Sequence, residues 1–270
     1  MTDKPPGDEP RRAPPPDADS VLLSNVRPPG YENPPPRDRY DLVVIGAGAG
    51  GLVSSAIAAG IGARVALVEE HRLGGDCLNT GCVPSKGLIA AARSWEAARR
   101  SSESFGGPEV AAGGDFRRAM DRMRNLRASI SPADSVERFS AMGVDVFLGR
   151  ACFDGPGRVE VDGAKLNFRR AIIATGSRPV LPEIEGLEEA GCLDNTTLFD
   201  IDEVPGRMVI VGAGPVGCEM AQCFARFGSE VILLEAAGEV LPREDPAAAA
   251  VVRAALEADG VRCVTGAGIE

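Results

Sequence analysis

Two cysteines five positions apart, Cys77 and Cys82, are the side chains best suited to chemistry. Asn, Thr and Gly between them favour a turn, so the two sulfurs can come within disulfide range. Pro84 suits the first turn of a helix, which would place Cys82 at a helix N-terminus, where partial positive charge lowers a thiol pKa. Lys86, about one turn further on, is expected to add a second stabilising charge. The pattern predicts a redox-active pair, with a structural disulfide or half of a zinc site as alternatives.

The other cysteines do not repeat this arrangement. Cys218 and Cys223 have the same spacing but lie in a helix-forming run, where five residues separate side chains by about 140° and prevent a bridge. We interpret them, together with Cys152, Cys192 and Cys263, as small buried or incidental residues. Zinc would need two more nitrogen or sulfur ligands, and the sequence contains one histidine, His71. We therefore predict no metal site.

A strand–turn–helix pattern occurs twice and supplies the elements that could position this pair. An apolar run at 41–45 precedes the glycine turn 46–51 and an Ala-rich helix, and the same order returns at 208–211 and 212–217. Strands that alternate with helices indicate a parallel sheet. The predicted fold class is α/β, with two Rossmann-like dinucleotide-binding domains, the second of them incomplete.

The glycines of the two turns have separate roles in a dinucleotide site. The first allows a tight turn, the second lets the backbone approach a pyrophosphate, and the third permits close packing of helix on strand. The helix N-terminus then offers free N–H groups to the phosphates. The alternative is that these glycines serve packing alone. The candidate cofactor-binding glycines are Gly46, Gly48 and Gly51 in the first turn and Gly212, Gly214 and Gly217 in the second.

Each copy also carries an acidic residue after its second strand. Glu69 follows Gly46 by 23 positions, and Glu235 follows Gly212 by the same 23. A carboxylate there accepts hydrogen bonds from ribose hydroxyls and repels a 2′-phosphate, so Glu235 favours NAD(H) over NADP(H). Two dinucleotide sites in one chain indicate electron transfer between two cofactors, most simply a flavin and a nicotinamide.

Composition divides the chain into three parts. Residues 1–39 are rich in proline and are predicted to be a disordered tail. Residues 40–203 form the first domain with the cysteine pair, and 204–270 form part of the second. The remaining predicted elements are helices at 84–100 and 115–142, strands at 144–148, 158–161, 170–174 and 262–264, and a loop at 177–205.

Charge and hydropathy exclude several classes of function. The net charge of −10 and an aromatic content of 4% argue against binding to nucleic acid. The uncharged stretch 42–63 is long enough to span a membrane, but its many glycines indicate strand, turn and helix instead. No targeting segment is recognisable, and sparse cysteines suit a reducing compartment, so we predict a cytoplasmic protein without a membrane partner.

The run GGDCLNTGCVPSK at 74–86 resembles the pyridine nucleotide–disulfide oxidoreductases, the flavoproteins that include dihydrolipoyl dehydrogenase, glutathione reductase and mercuric reductase. The order of parts agrees: GAGAGG, Glu69, the cysteine pair, Ala174-Thr175-Gly176 and GAGPVGCE. The resemblance covers about Tyr40 to Glu270. CVPSK together with LPREDP at 241–246 is most similar to the mercuric-reductase type.

The resemblance implies roles for individual residues. FAD would be held by Gly46, Gly48, Gly51, Glu69, Gly75, Thr175 and Gly176, and NADH by Gly212, Gly214, Gly217, Glu219 and Glu235. The catalytic residues would be Cys82 facing the flavin, Cys77 meeting the substrate, and Lys86 beside the flavin. Hydride would pass from NADH to FAD and then, as an electron pair, into the Cys77–Cys82 disulfide. The dithiol would reduce a small-molecule disulfide or a metal ion.

Mercury(II) reduction is the predicted activity, with dihydrolipoyl dehydrogenase as the alternative. Relatives are homodimers and carry a further C-terminal part with a catalytic His–Glu pair, whereas this sequence stops at Glu270. We therefore expect a truncated product or a sequence fragment that does not dimerise. A non-catalytic dinucleotide-binding remnant is the third hypothesis.

Overall fold

The computed structural model describes residues 17–108, 114–187 and 189–268. Its α-helices are α1 (Ala18–Val26), α2 (Ala49–Gly60), α3 (Gly75–Asn79), α4 (Cys82–Phe105), α5 (Phe116–Ile130), α6 (Val136–Ala141), α7 (Pro215–Phe227) and α8 (Pro246–Ala258). Its strands are β1 (Tyr40–Ile45), β2 (Val65–Glu69), β3 (Asp145–Leu148), β4 (Ala151–Phe153), β5 (Arg158–Val161), β6 (Ala164–Ile173), β7 (Arg207–Val211), β8 (Glu230–Glu235) and β9 (Arg262–Thr265). None of the helices in these ranges has both the length and the apolar character needed to cross a membrane.

The first sheet has six strands in the order β3-β2-β1-β6-β5-β4. Strands β3, β2, β1 and β6 are parallel, and Val44 of β1 lies between Leu67 of β2 and Ile172 of β6. Continuous apolar runs suit parallel strands buried on both faces, and every residue of β2 is buried. Beyond β6 the sheet continues with β5 and then β4, which pair antiparallel and form a ribbon with β6. The predicted α/β class is confirmed.

The second sheet has three parallel strands in the order β7-β8-β9, connected by α7 and α8. Helix α7 begins at Pro215, whose fixed φ suits a first turn, and ends at Gly228, which takes the left-handed conformation. Helix α8 is capped by Asp245, whose carboxylate accepts hydrogen bonds from the backbone N–H groups of Ala247 and Ala248. Helix α8 was not among the elements predicted from the sequence.

The two sheets are joined through a shared apolar core. Helices α4 and α5 of the first fold pack against α7 of the second. Trp95 meets Phe227 edge-on with ring centroids 4.9 Å apart, and Phe116 meets the same ring at 5.2 Å. Beside this core, the Asp259 carboxylate pairs with Arg226 at 2.8 Å and with Arg100 at 3.2 Å. Aromatic packing and a buried carboxylate therefore hold the two folds against each other.

Residues 17–39, here called the N-terminal arm, are ordered, so the prediction of a disordered tail is wrong for them. Asp17 caps α1, and Leu22 and Val26 on one side of this helix are buried. Further on, the Tyr31 hydroxyl donates to the carbonyl of Val146, and Arg37 binds the Asp145 carboxylate. Proline content indicated disorder, but these apolar and hydrogen-bonding side chains have partners at the β3 edge. Residues 1–16 of the predicted tail lie outside the described residues.

Three smaller differences have local causes. The single helix predicted at 115–142 is two helices, because Pro132 interrupts the chain in a 3₁₀ turn at Ser131–Asp134. Strand β6 is longer than predicted, and β4 was missed. Both belong to the antiparallel ribbon, where one face is exposed and the apolar signal is weak.

Candidate active site

A cleft of about 830 Å³ opens at the carboxyl ends of β1, β2 and β6. Doubly wound sheets bind ligands at this edge, where neighbouring connections diverge. The cleft is lined by predicted site residues from four separate segments of the chain. They are Gly46, Gly48, Glu69, Gly75, Thr175 and Gly176.

The first glycine turn needs glycine for steric reasons. Gly46 has a φ of 98°, and a side chain on it would overlap the carbonyl of Ala174, the residue directly after β6. A side chain on Gly51 would overlap the carbonyl oxygen of Gly46, because α2 packs directly on the turn. By contrast, a Cβ on Gly48 would meet the Cα of Gly75 at an ordinary 3.7 Å. Gly46 and Gly51 therefore serve the fold, whereas Gly48 is free to serve a ligand.

Glu69 and Glu235 each hold the glycine turn of their own fold. The buried Glu69 carboxylate accepts hydrogen bonds from the backbone N–H of Ala47 and of His71, both at 2.7 Å. Glu235 repeats this geometry with Ala213 at 2.8 Å and Ala237 at 2.9 Å. These backbone donors lower the pKa of Glu235.

The turn-holding bonds were not foreseen from sequence. Each carboxylate oxygen has two lone pairs, so an acceptor position stays available on each oxygen of Glu69 and Glu235 for the predicted ribose contact. That contact stays a prediction. In the second turn Gly212 again has positive φ, at 99°, and a side chain on Gly217 would overlap the Gly212 carbonyl. Gly214 has open space around it, as a backbone that approaches a ligand requires.

The two cysteines lie on two consecutive helices. Cys77 lies in α3, and Cys82 is the first residue of α4, which confirms the predicted helix N-terminus. Gly81 allows the close approach, since a Cβ there would come within 2.8 Å of the Asp76 carbonyl oxygen. Both residues are free thiols, Cys82 exposed and Cys77 partly buried. The hydrogen bond with Cys82, reinforced by burial, raises the pKa of Cys77 to about 11.

Helix α3 rests on the glycine turn and so connects the thiols to the cleft. The N–H of Gly74 donates to the carbonyl of Ala47 at 2.9 Å, and a Cβ on Gly75 would lie 2.6 Å from the Cα of Gly48. Neither sulfur is among the groups that line the cleft, but α3, which carries Cys77, contributes Gly75 and Asn79 to its wall. The dithiol therefore stands beside the predicted flavin site.

Asn79 is a site residue that sequence reasoning missed. Its side-chain N–H₂ group donates to the carbonyls of Leu73 at 3.0 Å and Gly75 at 2.9 Å, which fixes the start of α3. Its Oδ1 is buried and has no hydrogen-bond partner within the described ranges. A buried acceptor in a cleft wall suits a ligand that carries a donor. The signal available was its place between the two cysteines, where it was interpreted only as a turn former.

Lys86 and Glu219, predicted from different motifs, form one ion pair. The ammonium nitrogen lies 2.7 Å and 2.6 Å from the two carboxylate oxygens, and both side chains are partly exposed. The pair crosses from α4 to α7 and borders a groove of about 260 Å³ between these helices. The ammonium expected to stabilise Cys82 is thus bound to a carboxylate of the second fold.

His71 is exposed and lines the cleft, where its backbone N–H bonds to Glu69. The other cysteines do not contribute to this site. Cys218 and Cys223 are buried on α7, where burial raises their pKa to about 11 and about 12. Cys152 is exposed rather than buried, and Cys192 and Cys263 are partly buried. Within the part of the chain that the structure describes, no group of three His, Cys, Asp or Glu side chains could hold a metal ion.

Two linked nucleotide-binding folds with a dithiol beside the first define a class of flavin- and nicotinamide-dependent redox proteins. The sequence model of the pyridine nucleotide-disulphide oxidoreductase family matches residues 40–270. The chain belongs to this family, and members similar to it are flavoproteins. The expectation drawn from the run at 74–86 is confirmed.

Similar proteins within the family differ in their named activities. A mercuric reductase of Lysinibacillus sphaericus is 36% identical over 235 residues, which cover 86% of this chain and 42% of that protein. A dihydrolipoyl dehydrogenase of Geobacillus stearothermophilus is also 36% identical, over 84% of this chain and 48% of its own length. A glutathione reductase of Burkholderia cepacia is 37% identical over 75% of this chain and 44% of its own. The chain thus spans less than half the length of these relatives.

Solved structures agree on the fold. The copper(II) complex of an HOCl-induced flavoprotein disulfide reductase from Escherichia coli matches with a TM-score of 0.72 and 32% identity. The match covers 84% of this chain and 49% of that one. This likeness and the relatives together place the chain among disulfide oxidoreductases without selecting one member.

Proposed function

We propose that this chain is the flavin-binding and part of the nicotinamide-binding portion of an FAD- and NAD(P)H-dependent disulfide oxidoreductase. The observation that carries the proposal is the pair of free thiols Cys77 and Cys82 on the consecutive helices α3 and α4, with α3 held on the first glycine turn. Cys82 is exposed and Cys77 partly buried, so the pair is accessible to a reaction partner. A partly accessible dithiol beside a nucleotide cleft suits electron transfer.

The cleft fits FAD by shape and by donor chemistry. Gly46, Gly51 and Gly75 pack tightly on backbone and fix the turn, while Gly48 has only an ordinary contact, so the backbone at Gly48 is open to a pyrophosphate. The N-terminus of α2, capped by Gly48 without a side-chain bond, presents free N–H groups. We assign Gly46, Gly48, Gly51, Glu69, Gly75, Thr175 and Gly176 to FAD. When bound there, FAD supplies two-electron transfer between a nicotinamide and a disulfide.

The chain's own sulfur chemistry completes the proposed reaction. In the reduced state the Cys77 sulfur, as thiolate, attacks one sulfur of an acceptor disulfide, and the acceptor's other sulfur leaves and takes up a proton. The Cys82 thiolate then attacks the mixed disulfide, which releases the second acceptor thiol and forms the Cys77–Cys82 bond. Overall one acceptor disulfide becomes two thiols, and one protein dithiol becomes a disulfide.

Lys86 and Glu219 are assigned a positioning role in the groove between α4 and α7. Their contact joins an ammonium of the flavin-binding fold to a carboxylate of the nicotinamide-binding fold. Partly exposed pairs of this kind contribute little to stability, so their value lies in orienting groups across the groove. We assign the glycines 212, 214 and 217, together with Glu219 and Glu235, to the nicotinamide nucleotide.

NAD(H) is the proposed nicotinamide nucleotide. The Glu235 carboxylate is at the end of β8, its pKa is lowered, and it is therefore charged at neutral pH. A fixed negative charge at this position repels the 2′-phosphate of NADP(H). Replacement of Glu235 by Ser removes that repulsion, so the ratio of NADPH to NADH affinity should rise about tenfold.

Mercury(II) is the proposed electron acceptor: it would take two electrons from the dithiol and become metallic mercury, while the dithiol becomes a disulfide and releases two protons. The cyclic disulfide of lipoamide, reduced by the exchange steps above, is the second candidate. The mercuric reductase of Lysinibacillus sphaericus and the dihydrolipoyl dehydrogenase of Geobacillus stearothermophilus are equally similar to this chain, each at 36% identity. The mercuric-reductase proposal adds the run CVPSK and LPREDP at 241–246. A cytoplasmic location, and dimers formed by the complete protein, belong to the same proposal.

The test follows the oxidation state of the two sulfurs rather than turnover. The oxidised chain is mixed with FAD and NADH without oxygen. It is then unfolded, so that the raised pKa of Cys77 no longer slows labelling, and new thiols are alkylated and located by mass spectrometry. We expect Cys77 and Cys82 to become alkylated together only when both nucleotides are present, while Cys218 and Cys223 stay unchanged. The Cys77→Ser chain, which cannot form the pair, is the control.

Two results would contradict the proposal. Alkylation of Cys77 and Cys82 that does not depend on NADH would remove the redox role of the pair. Binding of FAD without any new thiol would support the non-catalytic remnant instead. NADH oxidation measured with mercury(II) and with lipoamide, on a protein of the length of its relatives, would then separate the two acceptors.

A further inference from the structure

The N-terminal arm lies outside residues 40–270 that match the family, yet it contacts the segment that carries Cys77. This segment runs from the end of β2 through α3. Helix α3 has only five residues, too few to be stable without contacts to the rest of the protein. The groups that hold α3 in place therefore determine where Cys77 stands.

The arm binds the beginning of this segment directly. The carbonyl of Val26, the last residue of α1, accepts a hydrogen bond from the N–H of Leu73 at 3.1 Å. Arg27 donates to the carbonyls of Glu70, at 2.8 Å, and His71, at 2.5 Å. The loop after β2, part of which lines the cleft, is thus fixed on its outer side by α1 and the residue that follows it.

The arm also reaches the end of α3 through one buried arginine. Asp19 on α1 binds Arg127 on α5 with 2.8 Å between carboxylate and guanidinium. The other guanidinium branch of Arg127 donates to the carbonyl of Asn79, the last residue of α3, at 3.0 Å. Asn79 in turn holds the start of α3 through its side chain. These contacts tie the arm to both ends of the helix that carries Cys77.

The contact between Asp19 and Arg127 is an ion pair that neutralises a buried charge. The Arg127 side chain is 6% exposed, so its positive charge is largely removed from water. A buried cation needs a counter-charge, and a cation at the C-terminal end of a helix interacts favourably with the helix dipole. Asp19 supplies the counter-charge from the arm, which keeps the guanidinium in place against Asn79.

We propose that Asp19 and Arg127 are positioning residues for the redox pair, and that the N-terminal arm thereby sets the stability of the Cys77–Cys82 disulfide. The proposal rests on the proposed function of this pair. A disulfide is favoured when the two thiols of the reduced state already stand close together. Loosening α3 gives the reduced state more separated arrangements, so the disulfide becomes less stable.

The chain offers a matched control for the test variant Asp19→Asn. Asp202 binds Arg124, which lies on α5 three residues before Arg127, at 2.9 Å. The two carboxylates are similarly exposed, at 58% for Asp19 and 50% for Asp202. Arg124 bonds to Asp121, Asp200 and Asp202 and not to α3. Asp202→Asn therefore removes an equivalent charge partner from an arginine of the same helix, α5, without releasing α3.

The experiment equilibrates each chain with oxidised and reduced glutathione and measures the disulfide fraction of Cys77 and Cys82. One oxidised glutathione converts the protein dithiol to a disulfide and yields two reduced glutathiones. Asp19→Asn should lower this equilibrium constant about twofold to fivefold, as for the loss of a partly exposed ion pair. Asp202→Asn should leave it unchanged. Equal constants for wild type and Asp19→Asn, or equal shifts in both variants, would overturn the proposal.

Amide hydrogen exchange keeps the two proposals separate. The N–H groups of Leu78 and Thr80 bond to the carbonyls of Gly74 and Asp76 and report directly on α3. Their exchange should be faster in Asp19→Asn than in Asp202→Asn. If the wild-type chain forms no Cys77–Cys82 disulfide at all, the proposed function fails, and the positioning role is then decided by these amides. If these amides exchange at the wild-type rate in Asp19→Asn, the proposed positioning role is wrong.

Discussion

Cys77 illustrates how a neighbouring side chain controls reactivity at the scale of one residue. Its pKa is raised to about 11, first by the hydrogen bond with Cys82 and then by burial. At pH 8 only about 0.1% of this thiol is thiolate, the form that reacts with alkylating agents. Thiolate forms as pH rises toward the raised pKa, so alkylation of Cys77 in the reduced chain should be slow at pH 8 and accelerate up to about pH 11.

Removal of the partner tests this cause. In Cys82→Ala the hydrogen bond is lost, so the pKa of Cys77 falls, and alkylation at pH 8 should become about tenfold faster. Iodoacetamide labelling followed by peptide mass spectrometry measures the rate, with the exposed Cys152 as internal reference. An unchanged rate at Cys77 would mean that burial, and not Cys82, controls this thiol.

Within the first glycine turn, Gly51 is needed for folding, whereas Gly48 is expected to be needed for FAD binding. Gly51→Ala drives a methyl group into the Gly46 carbonyl and should lower the free energy of unfolding by about 2–4 kcal/mol. Gly48→Ala meets only an ordinary contact, so stability should change by less than about 1 kcal/mol. FAD affinity should still fall at least tenfold in Gly48→Ala, because the methyl group occupies the space of the pyrophosphate.

Urea unfolding and flavin fluorescence titration measure these two effects independently. Loss of stability in Gly48→Ala, or normal FAD affinity in that variant, would show that the assignment of roles within the turn is wrong. The types of these glycines were predictable from their spacing after a strand. Which of them serve the fold and which serves a ligand was not predictable, because this depends on how α2 and the end of β6 pack against the turn.

At the scale of elements, α1 should contribute to stability although its surroundings are proline-rich. Leu22 is 1% exposed, and Leu22→Ala should lower the free energy of unfolding by about 2–4 kcal/mol through lost burial and an unfilled cavity. Val53→Ala on α2 is the control, since Val53 is 58% exposed and also loses aliphatic carbon. Urea unfolding compares them, and equal small effects would restore the view of the arm as a tail.

The sequence predicted elements where a single pattern dominated. Strands β1 and β7 are apolar runs directly before glycine turns, and both were located within about one residue. The order of the N-terminal arm was not predicted, because Leu22 and Val26 form only a short apolar stripe. They share a core cluster with Val136 and Phe139, which lie more than a hundred residues further along the chain. Helix α8 was missed although its sequence carries a helix signal, with Asp245 as N-cap, Pro246 in the first turn and an Ala-rich run.

At the scale of the whole molecule, the two nucleotide folds should unfold together. Phe227 packs against Trp95 and Phe116 where the folds meet, and it is 4% exposed. Phe227→Ala should cost about 3–5 kcal/mol and shift Trp95 emission to the red, since water gains access to the indole. Trp95 is the sole tryptophan, so its emission reports on this junction alone.

Phe153→Ala is the control for this junction. Phe153 also forms an edge-on aromatic pair, with Phe168, but is 54% exposed on the antiparallel ribbon. Its removal should change stability by less than about 1 kcal/mol and leave Trp95 emission unaltered. Separate transitions by Trp95 fluorescence and by circular dichroism in the wild-type chain would contradict joint unfolding.

The contact between the two folds could not be predicted from the sequence, because it depends on how helices from different folds cross. Lys86 and Glu219 were each predicted as site residues, yet their ion pair depends on how α4 and α7 cross. No periodicity within either helix encodes that crossing, which is set by aromatic packing around Phe227. The family resemblance supplied roles for the two residues, and the structure supplied their contact.

The bonds from Glu69 and Glu235 to their own turns affect the kinetics of nucleotide loading. Because each carboxylate fixes the backbone around it, both receptor surfaces have their final contour before any nucleotide arrives. Association then requires little loop rearrangement, and its rate should be governed by encounter frequency and release of bound water. Such a rigid receptor accepts chemically altered flavins of equal outline, which makes exchange of FAD for redox-silent analogues practicable in this chain.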